Sequence, residues 1–380
     1  MKKVAIITIH AIKNYGSALQ ALATQELVKK LGFDPVIIDY AYPNPMHQQQ
    51  PSLKGRVLRA CNLCLMHLLA VRAKFKLREE RYDQFIRNRM KLTRHYPSHD
   101  ELMEAPPVAD MYISGSDQIW HPRCIDYDTS FLLDFVPSEK PKVAFASSCG
   151  VDKFSDEQLA LFRRYLSSYD SIAVRESAVQ KMIHDILGEE PEEVLDPTLL
   201  LGRDEWQSIE SPVDLKEPYI LLYGNQEGQG SQMDVVAREL QKSTGLQIIR
   251  IHGRPYHRFS RKIKYLFNVG PSEFIWLFRN ASYVLANSFH GTVFSILFDR
   301  QFLSFYPASS DSGTRQLNLL KLLELDDRGL VLPMEIEVEQ VARLMQEPIP
   351  FETCQDKLAD MKEASIGWLS QALNAASGKN

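Results

Sequence analysis

The stretch most directly suited to chemistry covers residues 283–300 and reads YVLANSFHGTVFSILFDR. Its apolar start predicts a buried strand, after which Ser288 can cap a helix whose apolar side chains recur at helical spacing. The N–H groups and the dipole of a helix start favour an anion, and Gly291 lies in this first turn. His290 can add a hydrogen bond and a proton. We therefore predict a site for a small anionic substrate, with His290 as its acid.

Polar residues also follow the first predicted strand, which covers residues 4–9. The turn carries Asn14, Tyr15, Gly16 and Ser17. Gly16 permits close approach of the backbone, and Ser17 can cap the following helix. Both a ligand-binding loop and an ordinary strand–helix turn fit this pattern, and such a turn lies at the ligand-binding edge of a doubly wound sheet.

A loop of small residues, SGSDQ, follows a third short strand, and it contains Ser116 and Asp117. Backbone N–H groups in such a loop can meet a ligand, and the Asp117 carboxylate can accept a proton or orient a hydroxyl. The alternative is that Asp117 caps the next segment. After the next strand comes Cys149, which has no base nearby in sequence and fits a small buried side chain.

Arg175 stands at the tip of another predicted strand, beside a helix start. Its planar guanidinium can bind a phosphate or a carboxylate through two hydrogen bonds. Because we expect Arg175 to project from the sheet end, we favour ligand binding over a surface pair with Glu176 or another acid. Arg315, in the polar loop 309–315, is a further candidate cation.

Strands and helices alternate along most of the 380 residues, which predicts an α/β protein with parallel sheets. This length exceeds what one core usually supports, so we expect two domains. The segment VLDPT around Asp196 predicts the connection between them. The predicted limits are 1–198 for the first domain with a basic helical insertion at 52–94, 199–355 for the second, and 356–380 for a last helix that packs on the first.

The composition excludes several classes of protein. A net charge of −4 and the lack of a nucleic-acid signature argue against RNA or DNA as a partner. No apolar run approaches a membrane span, and five unevenly spaced cysteines suit the reducing cytoplasm. Cys61 and Cys64 form a lone CxxC, which fits one turn of a helix better than a metal site.

The tract 54–94 contains twelve lysines and arginines against three acids. Such a tract suits contact with an anionic membrane surface or an acidic lipid carrier. A basic, solvated face over a core helix is the alternative, and we favour it slightly. We therefore expect a cytoplasmic protein, with peripheral contact at the inner membrane face as a hypothesis.

Six motifs together resemble the polysaccharide pyruvyl transferase family. They occur in the family's order as NYGSALQA, ISGSDQIWHP, KVAFASSCG, SIAVRES, VLDPTLLL and NSFHGTVFSILF. The resemblance runs from the first strand to about residue 330. It implies a GT-B-like fold, in which two Rossmann-like parallel-sheet domains face each other across a cleft. It also implies transfer of pyruvate from phosphoenolpyruvate to a sugar, with donor contacts at Asp117, Arg175, Phe289 and His290.

The chemistry of phosphoenolpyruvate agrees with these residues. Its phosphate and carboxylate need cations and N–H donors, which Arg175, the Ser288 helix start and Arg315 can supply. His290 can protonate C3 or assist departure of the phosphate, and Asp117 can accept the proton of the attacking hydroxyl. The reaction needs no cofactor beyond the donor substrate, and the sequence has no evident metal-ligand cluster.

Two other functions remain open. A GT-B glycosyltransferase that uses a sugar nucleotide would share the fold. Its retaining branch resembles proteins with paired glutamates in the second domain, and residues 288–298 contain no acid. A non-catalytic protein of exopolysaccharide or capsule assembly would use the basic tract to hold a membrane partner. The sugar acceptor, lipid-linked or free, is not identified by the sequence.

Overall fold

A computed structural model describes most of the chain. The described residues are 1–41, 71–125, 128–224, 230–251, 260, 262–307, 311–333 and 337–378. They form two compact units, and within the described residues the chain passes from one unit to the other between Phe85 and Ile86, between Leu201 and Gly202, and between Lys357 and Leu358. The first unit holds the described residues of Met1–Gln49, Ile86–Leu201 and Leu358–Asn380, and the second those of Gln50–Phe85 and Gly202–Lys357.

The first unit is built on a seven-stranded parallel sheet in the order β3-β2-β1-β4-β5-β6-β7. Its strands are β1 Lys3–Ile7, β2 Asp34–Tyr40, β3 Leu92–Tyr96, β4 Met111–Ser114, β5 Lys142–Ser147, β6 Ser171–Val174 and β7 Glu192–Glu193. The central strands read as continuous apolar runs because helices cover both faces of a parallel sheet. Ala5 on β1 pairs with Val36 on one side and Tyr112 on the other.

Along the chain, the helices as far as the boundary at Leu201 lie between these strands, except for the last one, which follows β7. They are α1 Tyr15–Lys30, α2 Arg72–Arg89, α3 His99–Glu104, α4 Pro122–Ile125, α5 Asp156–Leu166, α6 Ser177–Leu187 and α7 Pro197–Leu200, with a 3₁₀ turn at Ser130–Leu132. Local signals fix several starts. Ser155 forms a capping box with Gln158 at α5, and Ser98 accepts the backbone N–H of Glu101 at α3.

The second unit is built on a six-stranded parallel sheet in the order β10-β9-β8-β11-β12-β13. Its strands are β8 Tyr219–Tyr223, β9 Gln247–Ile251, β10 Lys264–Leu266, β11 Tyr283–Ala286, β12 Gln301–Pro307 and β13 Gly329–Leu332. The helices that follow the boundary are α8 Arg203–Ser208, α9 Gly230–Thr244, α10 Pro271–Asn280, α11 Phe289–Leu297, α12 Asp311–Leu322, α13 Val338–Leu344 and α14 Phe351–Ser377, with a 3₁₀ turn at Asp326–Arg328. The predicted class of two parallel-sheet α/β domains is confirmed.

The last helix contributes to the first unit from Leu358 onward. Its Trp368 stacks on Phe145 of β5, with the ring centroids 6.1 Å apart. The Ser365 hydroxyl accepts the backbone N–H of Leu195 at 3.1 Å. These contacts place a C-terminal segment in the core of the unit that begins the chain.

The basic insertion predicted as helical over 52–94 in the first domain differs from the structure in two ways. The helix ends at Arg89 and a strand starts at Leu92, because 92–96 pair with β2 at the sheet edge and include strand-favouring residues. The part from Arg72 to Phe85 belongs to the second unit, where the Phe75 ring lies 5.4 Å from that of Phe267. Residues 52–70, with Cys61 and Cys64, lie outside the described residues.

Candidate active site

The loops after β1 and β4 meet at the carboxyl edge of the first sheet. The strand order reverses between these two neighbours, and open α/β sheets bind ligands at such a point. Ser17, in the first turn of α1, donates its hydroxyl to Oδ2 of Asp117 at 2.6 Å. The structure thus brings together the loops that hold Asn14–Ser17 and Ser116–Asp117, which the sequence pointed to separately.

Asp117 is held in an unusual position. Its φ of 77° lies in the left-handed region, which aspartate tolerates better than most residues and which is common at functional sites. The residue is only 9% exposed. Its second carboxylate oxygen, Oδ1, accepts the backbone N–H of Gln118 at 2.9 Å. Both oxygens therefore have fixed directions before any ligand arrives.

The cap of α1 differs from the prediction. Asn14, not Ser17, is the N-cap: its backbone is extended and its side-chain oxygen accepts the backbone N–H of Ser17 at 3.3 Å. The helix therefore begins at Tyr15, and Tyr15 and Gly16 are buried in its first turn. The Ser17 hydroxyl is available to Asp117 because Asn14 caps the helix in its place.

Arg175 follows β6, as predicted, but it does not project into solvent. Its side chain is 2% exposed, and its Nη1 donates to Oδ2 of Asp196 at 2.5 Å. Burial lowers the pKa of Arg175, but the nearby carboxylates of Asp196, Glu176 and Asp117 outweigh this effect, so the net shift is upward. The guanidinium is therefore a fixed, buried cation among three acids, not a free arm at the sheet tip.

Asp196 is the anchor of this cluster. Its Oδ1 accepts the backbone N–H of Thr198 at 2.9 Å and the Thr198 hydroxyl at 2.5 Å. The hydroxyl of Ser116 lies 3.4 Å from Oδ2, on the oxygen that also takes Arg175. One fully buried carboxylate thus ties the loop after β4, the end of β6 and the start of α7 together.

Glu176 fills a cradle formed by the loop after β5. Its carboxylate accepts the hydroxyl of Ser148, at 2.9 and 2.8 Å to the two oxygens, and the backbone N–H groups of Cys149 and Gly150, at 3.1 and 2.9 Å. Successive N–H groups of this kind form an anion-binding nest. Burial first, and the charge of Glu176 second, raise the pKa of the Cys149 thiol well above its usual value, which agrees with a buried, inert side chain.

The start of α11 is the candidate site of the second unit. Ser288 is the N-cap, as predicted, and its hydroxyl accepts the backbone N–H of Gly291 at 3.5 Å. His290 is 7% exposed, and its ring meets the Phe289 ring edge-on at 5.3 Å. The Arg315 guanidinium carbon lies 5.5 Å from the centroid of Phe289, within cation–π range. An imidazole, a guanidinium and a helix start therefore occur together in this unit.

Close packing fixes this helix start. A Cβ on Gly291 would lie 2.7 Å from the Cβ of Ala286 and 3.0 Å from Cδ1 of Tyr223, so only glycine fits between helix and strand. At the next residue, the Thr292 hydroxyl lies 2.7 Å from the Ser304 hydroxyl. The position of His290 thus follows from steric contacts at its neighbours.

Two residues of the buried cluster, Asp196 and Glu176, were not among the sequence-based site candidates. Asp196 was assigned only to a connection, and Glu176 only to a surface pair with Arg175. Asp196 carries a local signal, because an aspartate before Pro197 and Thr198 is a helix N-cap pattern. Nothing local indicates that Glu176 turns inward to Ser148.

The described residues contain no group of three histidine, cysteine, aspartate or glutamate side chains arranged to hold a metal ion. Within the same residues, no helix combines the length and the apolar character that crossing a membrane requires.

A model of the polysaccharide pyruvyl transferase family matches residues 14–309 of this chain. The chain belongs to the polysaccharide pyruvyl transferase family. Membership identifies a transferase that takes a pyruvyl donor and a sugar acceptor, as the sequence predicted. No curated protein matches the chain.

Solved structures similar to this family member support its fold class. Arabidopsis thaliana UGT89C1 complexed with quercetin shares 12% identity, with 99% of both chains covered and a TM-score of 0.55. S. aureus MnaA with UDP shares 10% identity over 94% of this chain and 91% of that chain, with a TM-score of 0.55. The UDP-N-acetylglucosamine 2-epimerase from Rickettsia bellii shares 10% identity over 99% of this chain and 96% of that chain, with a TM-score of 0.54. The predicted GT-B-like fold is confirmed at the level of two parallel-sheet α/β domains.

Proposed function

We propose that the protein transfers the pyruvyl group of phosphoenolpyruvate to two hydroxyls of a sugar in a bacterial surface or capsular polysaccharide precursor, forming a cyclic ketal. The observation that carries this proposal is the start of α11, where His290, the Ser288 cap and the Arg315–Phe289 contact occur together. A small molecule with a carboxylate, a phosphate and a carbon to be protonated suits this set, because it needs a cation, N–H donors and an acid.

The charges support a division of work between the units. In the first unit, the cluster at the sheet edge contains three carboxylates, Asp117, Glu176 and Asp196, for the one guanidinium of Arg175. A net negative edge repels an anionic donor but can accept hydrogen bonds from sugar hydroxyls. The helix start in the second unit has Arg315 and a positive dipole end. The donor therefore belongs to the second unit and the acceptor to the first.

The reaction forms two C2–O bonds to the sugar, and it breaks the C2=C3 π bond and the bond from C2 to the phosphate oxygen. His290 gives a proton to C3, the methylene becomes a methyl group, and the first sugar hydroxyl attacks C2. Asp117 takes the proton of that hydroxyl. The bond from C2 to the phosphate oxygen then breaks, and the second hydroxyl closes the ketal. Of the two hydroxyl protons, one balances the proton spent on C3 and the other leaves with the phosphate.

In this proposal the remaining candidates have supporting roles. Ser17 orients Asp117, and Ser116 with Asn14, Tyr15 and Gly16 shapes the loops on which the acceptor would lie. The expected direct contact of Arg175 with the donor stays a prediction. Its burial and its bond to Asp196 favour a positioning role for Arg175, whereas Arg315 is the better candidate for the donor's carboxylate or phosphate. Phe289 and Gly291 hold that cation and the helix start in place.

The exposed basic residues at the start of α2, in the second unit, are candidates for contact with an anionic membrane surface. Arg72, Lys74 and Lys76 are all exposed. Cationic side chains near an anionic surface contribute about 1 kcal/mol each to binding. Co-sedimentation with vesicles that contain phosphatidylglycerol, but not with neutral vesicles, would support peripheral membrane contact, and equal behaviour with both would contradict it.

The test of the proposed function is direct transfer from labelled phosphoenolpyruvate. The protein is incubated with ¹³C-labelled phosphoenolpyruvate and a panel of free and lipid-linked glycosides, and the product is examined by NMR for a ketal carbon with release of phosphate. UDP-sugars replace the donor in a parallel reaction. Transfer from UDP-sugars alone would establish the glycosyltransferase alternative. If neither donor is consumed and phosphoenolpyruvate does not raise the melting temperature at saturation, a non-catalytic assembly role is indicated.

A further inference from the structure

The first unit contains a cavity of about 450 Å³ that is separate from the Asp117 cluster. Its volume lies within the roughly 300–1,000 Å³ typical of small-molecule sites. The described residues that line it are His99, Ile125, Asp128, Thr129, Glu157, Gln158 and Leu161. None of the sequence motifs singled out above contributes to this lining.

Topology places the cavity at the carboxyl edge of the first sheet. His99 starts α3, which follows β3, while Asp128 and Thr129 lie in the connection after β4. Glu157 and Gln158 are in the first turn of α5, which follows β5. In a parallel sheet all three connections leave from the same edge, and this edge also holds Asp117. The cavity is therefore on the functional side of the unit.

Buried partners orient the polar groups of the lining. Asp134 lies 2.9 Å from Nε2 of His99, and the same carboxylate oxygen takes the hydroxyl of Thr129. Asp128 accepts the Tyr40 hydroxyl at Oδ2 and the backbone N–H of Ser130 at Oδ1, 2.9 Å away. Supports of this kind are characteristic of preorganised binding sites.

The charge of the lining selects the chemistry of its ligand. Asp128 and Glu157 are acids, and the described lining residues include no lysine or arginine. Glu157 has a lowered pKa because of a hydrogen bond from Ser155, so it is ionised at neutral pH. Phosphoenolpyruvate, sugar nucleotides and lipid phosphates would be repelled. A neutral molecule with several hydroxyl donors fits carboxylate, imidazole, amide and hydroxyl partners, with Ile125 and Leu161 as the apolar wall.

We propose that this cavity binds a neutral sugar unit of the acceptor saccharide, with Glu157, Asp128 and His99 as its hydrogen-bonding partners. The inference rests on the proposed function for the source of that sugar. It places acceptor recognition in a defined cavity of the first unit, beyond the loops that hold Asp117. Specificity for the acceptor then depends on α3, α5 and the connection after β4.

The experiment measures sugar binding without donor or turnover. Methyl galactoside, methyl glucoside and methyl mannoside are titrated into the full-length protein and followed by saturation-transfer NMR. We expect at least one glycoside to bind. Glu157→Gln and His99→Ala should each weaken the binding of that glycoside about tenfold, which is the size of effect expected when one hydrogen bond to the sugar is lost. Glu190→Gln is the matched control, because Glu190 is an exposed acid that lines a different cavity of the same unit.

Three outcomes would overturn the proposal: no glycoside binds the unmodified protein, Glu157→Gln and His99→Ala both bind as it does, or spermidine binds through Glu157 in place of the sugars. Thermal unfolding of each variant checks that the fold is intact. The proposed function is tested separately by transfer. Sugar binding through Glu157 without pyruvyl transfer would refute that function and leave the sugar site standing. Transfer with an unchanged acceptor KM in Glu157→Gln would refute the sugar site alone.

Discussion

The two candidate regions are held in place by different forces. At the sheet edge of the first unit, Arg175, Asp196 and Glu176 are buried and fixed by ion pairs and hydrogen bonds. At the start of α11 in the second unit, Gly291 packs against Ala286 and Tyr223 with no room for a methyl group. The first arrangement is electrostatic and the second is steric.

This difference teaches what each region tolerates. A network of buried charges is stable only while every partner is present, because removing one leaves another charge uncompensated. A packed helix start depends on shape, and the close contacts of Gly291 fix the position of a reactive side chain such as His290. We therefore expect mutations in the first region to affect folding, and mutation of His290 to affect chemistry.

The largest expected effect comes from His290→Ala. Loss of a general acid reduces kcat by about 10²–10⁴-fold, and the unfolding measurement separates this loss from any destabilisation caused by removing the buried ring. The measurement is the rate of transfer from labelled phosphoenolpyruvate, together with urea denaturation. His184→Ala, an exposed histidine on α6, is the matched control. Transfer within about twofold of the unmodified rate would remove His290 from the mechanism.

The second prediction concerns the charge network. Asp196→Asn leaves the Arg175 guanidinium buried without its ion-pair partner, so we expect the free energy of unfolding to fall by about 3 kcal/mol. Urea denaturation measures it. Glu101→Gln is the control, because its pair with Arg94 is half exposed and should contribute less than about 1 kcal/mol. An equal loss of free energy of unfolding in Asp196→Asn and Glu101→Gln would show that the buried ion pair contributes no more to stability than the exposed one.

The third prediction tests the steric side of the comparison with two glycines in helices. Gly291→Ala should lower the free energy of unfolding by about 1–3 kcal/mol, because its Cβ overlaps Ala286 and Tyr223. Gly367→Ala in α14 meets nothing within 4 Å and should raise stability by about 0.5–1 kcal/mol. Thermal and urea unfolding of both variants give the two signs. The same sign in both would contradict the packing argument.

The smallest expected effect is a pH dependence in the first unit. Burial, and secondly the charge of Glu176, raise the pKa of Glu193 from 4.5 to about 7. A carboxyl with a raised folded-state pKa contributes its stability fully below its unfolded pKa, and that contribution is lost as the pH rises through 7. We therefore compare the free energy of unfolding of Glu193→Gln with that of the unmodified protein. The variant's value minus the unmodified value should be about 1–2 kcal/mol larger at pH 8 than at pH 5. The same difference in free energy of unfolding at pH 5 and at pH 8 would exclude a contribution of Glu193 to the pH dependence.

The sequence predicts the framework because each strand–turn–helix unit is local. For example, the sequence shows an apolar run before Asn287, and this run is β11. It also shows apolar residues at helical spacing after Ser288, and these form α11. Polar residues at strand ends were also found in this way. Their positions follow from the rule that parallel strands end at one edge.

Pairings between distant residues are not readable in the same way. Arg175 and Asp196 are 21 positions apart, and the sequence does not show which acid reaches the guanidinium. Ser17 and Asp117 are 100 positions apart, and their contact depends on β1 and β4 being neighbours. The start of β3 was missed because its pairing with β2, more than local propensity, decides that 92–96 is extended.

The return of α14 to the first unit has a consequence for biosynthesis. Domains usually fold from the N-terminus as the chain leaves the ribosome. Here Ser365 and Trp368, which contact Leu195 and Phe145, are made after the entire second unit. Part of the core of the first unit therefore stays uncovered until translation has passed residue 368. Chaperones that hold exposed apolar surface would have their longest engagement with this half of the nascent chain.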